Sequence, residues 1–290
     1  MKYTSLFMLL LVLFSCGGES TEQDDNLTTN NNSDLTDERI DKAKKVFYTI
    51  PSPYETALIF ESSGVSYNIG LLNPIDNVSN YSTSDKQALN FGVYGADLSY
   101  ANIFDQSQQC MFYMNCAKKL ADQLGVTAAF DAETIERIER NLNNRDSLMN
   151  IINDSYFIAD SHLKENQQDY LSALIIAGGW IEGLYIGSST LRKGKPNEAI
   201  MKAIADQKYA MESLVDLMDL YNNEEVTILK TKLMIIKASF DKITETSTET
   251  SVNNDKSVAV IGGGTSLTYT PEIILEIAQN VKTLRNEIIE

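Results

Sequence analysis

Histidine is nearly absent from this chain: His162 is the only one among 290 residues. That excludes most chemistry needing several imidazoles, ordinary zinc sites included. Tryptophan also occurs once, as Trp180, so no sugar-stacking aromatic groove is legible beyond that ring, and no nucleophile elbow or metal-ligand set is present. Basic residues are scarce, with 24 Lys and Arg against 40 Asp and Glu and a formal net charge of −16. Such a surface argues against nucleic acid and against electrostatic docking on anionic lipid. Cysteines number three. Cys110 and Cys116 fall six apart in a stretch that reads helical, about 9 Å between Cα atoms, too far for a local disulfide. Two buried free thiols are the expectation.

The N-terminus reads MKYTSLFMLLLVLFSCGGES. Lys2 supplies a positive start, and residues 6–14 form an apolar run too short to span a bilayer comfortably. The run ends Leu13-Phe14-Ser15-Cys16-Gly17, which resembles the lipobox of bacterial lipoproteins. The resemblance implies a signal peptide over residues 1–15, lipidation of the Cys16 thiol and cleavage before it. Gly17, in place of Asp, implies delivery to the outer membrane, facing either the periplasm or the cell surface. Residues 16–33 carry Leu27 as their one sizeable apolar side chain and cannot bury a core, so they read as a tether. A flexible chain of that length reaches about 20–25 Å.

Residues 34–290 read as one domain, helical nearly throughout. Ser52-Pro53-Tyr54-Glu55 has the N-cap, N1 proline and capping-box glutamate of a helix start. Thr83 or Ser84 opens a long segment predicted to run to Leu124, with Gly125 as its C-terminal stop. Asp131 starts another helix, Asn143-Asn144 interrupts it, and Asp146 begins a further one. A very apolar helix is predicted from Asp169 to about Leu191. Asn197 caps one reaching Tyr221, and Val226, Leu229, Leu233, Ile236, Phe240 and Ile243 mark the apolar stripe of the next. The residues TETSTETSVNND read as a polar loop. Then 256–261 and 265–270, rich in β-branched residues, flank Gly262-Gly263-Gly264 and predict a small β-hairpin over 256–270. The glycine run lacks the Gly-Lys-Ser/Thr ending of a phosphate loop, and Leu267 stands where G-x-G-x-x-G needs its third glycine. Thr270-Pro271-Glu272 caps a final helix. The predicted fold class is therefore all-α, a multi-helix bundle with a small C-terminal hairpin before the last helix.

A weak internal repeat relates about 84–124 to about 169–208. ALNFGVYGADLSY aligns without gaps to ALIIAGGWIEGLY, matching Asp97 with Glu182 and Tyr100 with Tyr185, and Leu120-Ala-Asp-Gln recurs as Ile204-Ala-Asp-Gln. Two related helical halves are the expectation. Within the second copy, Gly178, Gly179, Gly183 and Gly187 cost about 1 kcal/mol each relative to alanine. Gly179, Gly183 and Gly187 lie four apart, a smooth ridge against which another helix can pack, with Gly92 and Gly95 pointing to the first copy as partner. The stretch 171–191 has the length of a membrane span, but Asn90 and Asp97 interrupt its counterpart, and core packing is the preferred reading.

Glu182 and Asp97 are carboxylates on apolar helices, and each must be protonated, paired or open to water. Tyr100 and Tyr185 follow their acids by three residues and Tyr94 precedes Asp97 by three, so all share faces with them. One reading is a hydrogen-bonded or ion-paired polar core. The other is a pocket, lined by Asp97, Glu182, Tyr94, Tyr100, Tyr185 and Trp180, that takes a cation or small polar solute, or does carboxylate-dependent catalysis. No cofactor is indicated, and partners would be the membrane through the lipid anchor and an envelope protein or small ligand.

The segments IPSPYETA, LLNP, YGADLSY, KLADQLG, LKEN and GGWIEGLY together resemble helical lipoproteins of Bacteroidota. That resemblance covers most of the mature chain and transfers neither a function nor a catalytic residue. The expectation from the chain's own features is an outer-membrane-anchored, non-catalytic binding or interaction module. Imelysin-like helical lipoproteins are a more distant analogy. Their G-x-H-x-x-E motif is absent here, Trp180 and Ile181 standing where its histidine would be sought.

Overall fold

Short-range signals place the helix ends. The first helix, α1 (Ser84–Ile103), begins where the Thr83 hydroxyl accepts from the Lys86 backbone N–H. It does not continue to Leu124. At Asp105 the backbone turns left-handed (φ 54°), and α2 (Ser107–Gln123) starts afresh before stopping at Gly125, φ 77°. The latter is the positive-φ position glycine occupies without strain. Asp131 caps α3 (Ala132–Arg140). Asn144, rather than Asp146, caps α4 (Arg145–Glu165). Next come α5 (Asp169–Ser188) and α6 (Glu198–Asp206), the latter capped by Asn197. The helix expected to reach Tyr221 breaks at Gln207 into α6 and α7 (Lys208–Asp219). Asn223 caps α8 (Glu224–Phe240), and Thr270 caps α9 (Pro271–Ile289) with proline in its first turn. The computed structural model describes residues 66–191, 197–247, 251–253, 260–262 and 265–290. The expected lipidation at Cys16, the tether and the helix start at Ser52 lie outside the described residues.

The architecture is an all-α bundle with a small antiparallel hairpin before α9. That hairpin is larger than expected and turns elsewhere. β1 (Thr244–Ser247) pairs with β4 (Thr265–Thr268), and β2 (Ser251–Asn253) pairs with β3 (Val260–Gly262). The chain therefore reverses between β2 and β3, and Gly262 ends a strand instead of opening the turn. The stretch expected to be polar loop supplies the first arm. Thr244 and Thr246 of β1 have β-branched side chains that favour extended backbone.

α1 and α5, both 20 residues long, form the most extensive helix–helix interface. α9 lies against both, and α2, α4 and α8 complete the packing. α5 is long and apolar enough to cross a membrane by length and composition, yet it is buried almost throughout by the rest of the protein. A helix apolar on all sides is what a central position demands.

The close approach of α1 and α5 is centred on Gly92 and Gly178. A Cβ at Gly92 would stand 2.0 Å from the Ile175 carbonyl oxygen, and one at Gly178 would stand 2.0 Å from that of Leu89. Of the expected ridge, Gly179 meets Gly92, its amide nitrogen 2.7 Å from that same Cβ position. Gly95 serves a different neighbour. The Tyr156 hydroxyl occupies the space its Cβ would need and donates to the Phe91 carbonyl at 2.8 Å, while the Tyr156 ring stacks on Phe91 at 4.7 Å.

Candidate functional site

Asp97 and Glu182 meet inside the protein. Both have 0% exposure, and their side chains lie within hydrogen-bond reach of each other. The crossing of α1 and α5 at glycine brings their backbones close enough for two short acidic side chains to touch. Each acid has a further partner. Arg285, on α9, donates from Nε to one Glu182 oxygen at 2.8 Å and from Nη2 to the other at 2.9 Å. Arg285 Nη2 also donates to the Leu71 carbonyl at 3.0 Å. Asp97 Oδ2 accepts from the Asn73 backbone N–H at 3.1 Å.

Asp97 Oδ1 accepts no hydrogen bond from any donor group. A buried carboxylate oxygen without a donor is costly, and the cost vanishes if that oxygen carries a proton and gives it to Glu182. The electrostatics agree. Burial, then the neighbouring Glu182 charge, push Asp97 well above the usual carboxylate range. Burial pushes Glu182 up too, but the Arg285 guanidinium opposes the shift by charge and by hydrogen bonding. The Arg285 guanidinium therefore favours the negative charge on Glu182 and leaves Asp97 the acid that holds a proton more readily. Arg285 fills the place a bound cation would take.

From the triad a hydrogen-bond ring runs back to the C-terminus. The Asn73 side-chain amide donates to the Tyr81 hydroxyl at 3.0 Å and to Asn90 Oδ1 at 3.3 Å, and accepts from Asn77 at 2.9 Å. Asn90 donates to the Ile288 carbonyl at 3.0 Å and Tyr81 to that of Ile289 at 3.2 Å. These carbonyls belong to the last turn of α9, where a helix leaves acceptors without partners of its own. Side chains from residues 73–90 cap that end in trans. The ring thus joins the segment before α1, α1 itself, α5 and α9.

The tyrosines expected to serve the acids are engaged elsewhere. Tyr185 offers its ring face, with the Arg285 guanidinium 4.4 Å from the centroid, a cation–π contact that helps desolvate the charge. The Tyr100 hydroxyl accepts from the Asn68 backbone N–H at 3.1 Å and its ring stacks on Tyr67 at 5.3 Å. Tyr94 donates to the Pro74 carbonyl at 3.0 Å. Trp180 donates to Gln207 at 3.1 Å and packs near Phe240. So Asp97, Glu182 and the Tyr185 ring come together around Arg285, while the polar atoms of Tyr94, Tyr100 and Trp180 bond to other partners.

Sequence reasoning missed Arg285, Asn73 and Tyr81. A signal for Arg285 exists. It sits beside Leu284 within the buried series Ile274, Ile277, Val281, Leu284 and Ile288 of α9, and a cation in an apolar stripe answers two acids in apolar helices. Among the described residues, no group of three or more His, Cys, Asp or Glu side chains is placed to hold a metal ion. No protein-family model, curated protein or solved structure matches the chain.

Proposed function

We propose that this protein is an outer-membrane-anchored lipoprotein working as a non-catalytic binding or interaction module, in which the Asp97–Glu182–Arg285 triad holds the core together. The observation that carries the second half is the absence of solvent at the acids. Both are fully buried, and Arg285 and Asn73 take up the charge and the hydrogen bonding a ligand would need. The anchor reading rests on the apolar run and cysteine of residues 6–16. Acyl chains contribute about 0.8 kcal/mol per buried CH₂, and two or more give stable attachment.

Two measurements test the reading. Cys16→Ala should block lipid incorporation and release the protein from membrane fractions; unchanged membrane association and mass would sink the anchor. Native mass spectrometry of wild type and Asp97→Asn, purified from the host, should show the same retained ligands and partners. A molecule held by wild type and lost from a stably folded Asp97→Asn protein would move the functional site to the acid pair.

A further inference from the structure

Outside the triad, one concave region gathers aromatic and charged side chains that the core does not use. It lies between α6–α7 and the β1–β4 ladder, with a volume of about 660 Å³ and walls of Lys202, Asp206, Tyr209, Glu245, Leu267 and Tyr269. That volume falls within the range of small-ligand sites, about 300–1,000 Å³. Strand register builds one wall. Glu245 pairs directly with Leu267, so the two share one face of the ladder, and Tyr269, just past the end of β4, joins them in the wall of the cleft. α6 supplies Lys202 and Asp206 one turn apart, and Tyr209 stands in the first turn of α7.

The charges in this cleft are already balanced. Lys202 pairs with Asp206 at 2.6 Å. Glu245 lies 4.0 Å from Lys208 Nζ and within hydrogen-bond reach of the Tyr209 hydroxyl. An anion would meet the Asp206 and Glu245 carboxylates, and an ammonium ion the Lys202 and Lys208 ammonium groups, so neither finds a net charge partner here. A neutral molecule rich in hydroxyls needs none, because each hydroxyl both donates and accepts and can bridge a carboxylate to an ammonium. The tyrosines add a second requirement. Tyr209 is 43% exposed and Tyr269 half-buried, so ring surface is left for an apolar face to cover. A ligand that is neutral, dense in hydroxyls and equipped with flat C–H faces is a sugar. Trp180, the one stacking ring legible in the sequence, is buried at 3% exposure, and these tyrosines occupy the position it cannot.

We propose that the cleft between α6–α7 and β1–β4 binds a saccharide, with Tyr209 and Tyr269 as stacking faces and Glu245, Asp206 and Lys202 as hydroxyl partners. This rests on the binding-module reading and supplies its ligand class, and the two fail separately: membrane fractionation addresses the anchor, saccharide titration the cleft.

The experiment is calorimetric titration of the full-length chain, held in a detergent without a sugar headgroup. The probes are maltohexaose, cellohexaose, xylohexaose and mannohexaose, with tetramethylammonium chloride as a cationic control. At least one hexasaccharide should bind and tetramethylammonium should not. Tyr209→Ala should weaken that binding about tenfold or more, equivalent to about 1.4 kcal/mol, with the melting temperature unchanged. Glu245→Gln, an exposed position, should weaken it as well and decides the matter should Tyr209→Ala unfold the protein. Failure of all four saccharides, binding of tetramethylammonium alone, or saccharide binding indifferent to Glu245→Gln and to a stably folded Tyr209→Ala would each overturn the proposal.

Discussion

Arg285 grips both carboxylate oxygens of Glu182, at 2.8 and 2.9 Å, across 103 residues of chain. The grip is fully dehydrated on the glutamate side, so its two halves are not equivalent to exposed partners. Removing one leaves a buried charge. Arg285→Met should cost about 3–5 kcal/mol in urea unfolding, and Glu182→Gln should be similarly damaging because it strands the guanidinium. Asp97→Asn should stay within about 1 kcal/mol of wild type, since the amide donates and accepts as the protonated acid does. Equal losses at Asp97 and Glu182 would show that Asp97 carries no proton.

The same assignment dictates a pH dependence. Burial and then Glu182 raise Asp97 above its ordinary value of 3.8 in the folded protein. An acid with a raised folded pKa stabilises the fold fully below its unfolded pKa. That contribution declines as pH rises from about 4 through the folded value. Subtracting the Asp97→Asn curve from wild type across pH 3–9 should therefore show wild type losing relative stability upward from about pH 4. A difference that grows in the opposite direction would assign the proton elsewhere.

The crossing of α1 and α5 is tested at Gly178. Alanine is the better helix former by about 1 kcal/mol, but its Cβ would stand 2.0 Å from the Leu89 carbonyl, and backbone cannot rotate away. Gly178→Ala should lose about 1–3 kcal/mol or more, as should Gly92→Ala. A gain in melting temperature would mean that the helices can separate freely.

Tyr81 links two partners through one hydroxyl, accepting from Asn73 and donating to the Ile289 carbonyl. Tyr81→Phe keeps the ring and orphans both groups, at a cost of about 1–3 kcal/mol. Hydrogen exchange should report the loss as faster opening of the last turn of α9. An unaltered exchange pattern would show that the trans cap contributes nothing to that turn.

Cys110 and Cys116 are free and buried, and burial pushes their thiols up to about 12 and about 11 respectively. A thiol-specific disulfide reagent at pH 8 should leave both unmodified until the chain unfolds. Rapid labelling of the native protein would place at least one of them at an opening.

What local chemistry governs was legible in the residues themselves. Thr83, Asp131, Asn197 and Thr270 cap helices where the sequence puts them, because a cap is settled within four residues of chain. The periodic stripe of α8 and the all-round apolarity of α5 report burial for the same reason: each face is written in spacing alone. The requirement that Asp97 and Glu182 be protonated or paired was equally legible, since it follows from burying a carboxyl at all.

Helix interruptions were harder. The breaks at Asp105 and Gln207 carry no proline or glycine, so nothing local announces them. The hairpin shows the same limit, because the glycine run marks a plausible turn while the actual partners of β3 and β4 are β2 and β1, chosen by pairing over distance.

By itself, then, the sequence determined an all-α bundle, most of its helix starts, two acids in need of partners and glycines in need of a close neighbour. Tertiary structure decided that Arg285 is the cation, that it favours charge on Glu182 over Asp97, and that Gly92 and Gly178 are where backbones touch. Each depends on groups separated by tens to hundreds of residues, whose meeting is set by the sum of many packing contacts and by the absence of water, neither of which any single stretch of chain encodes.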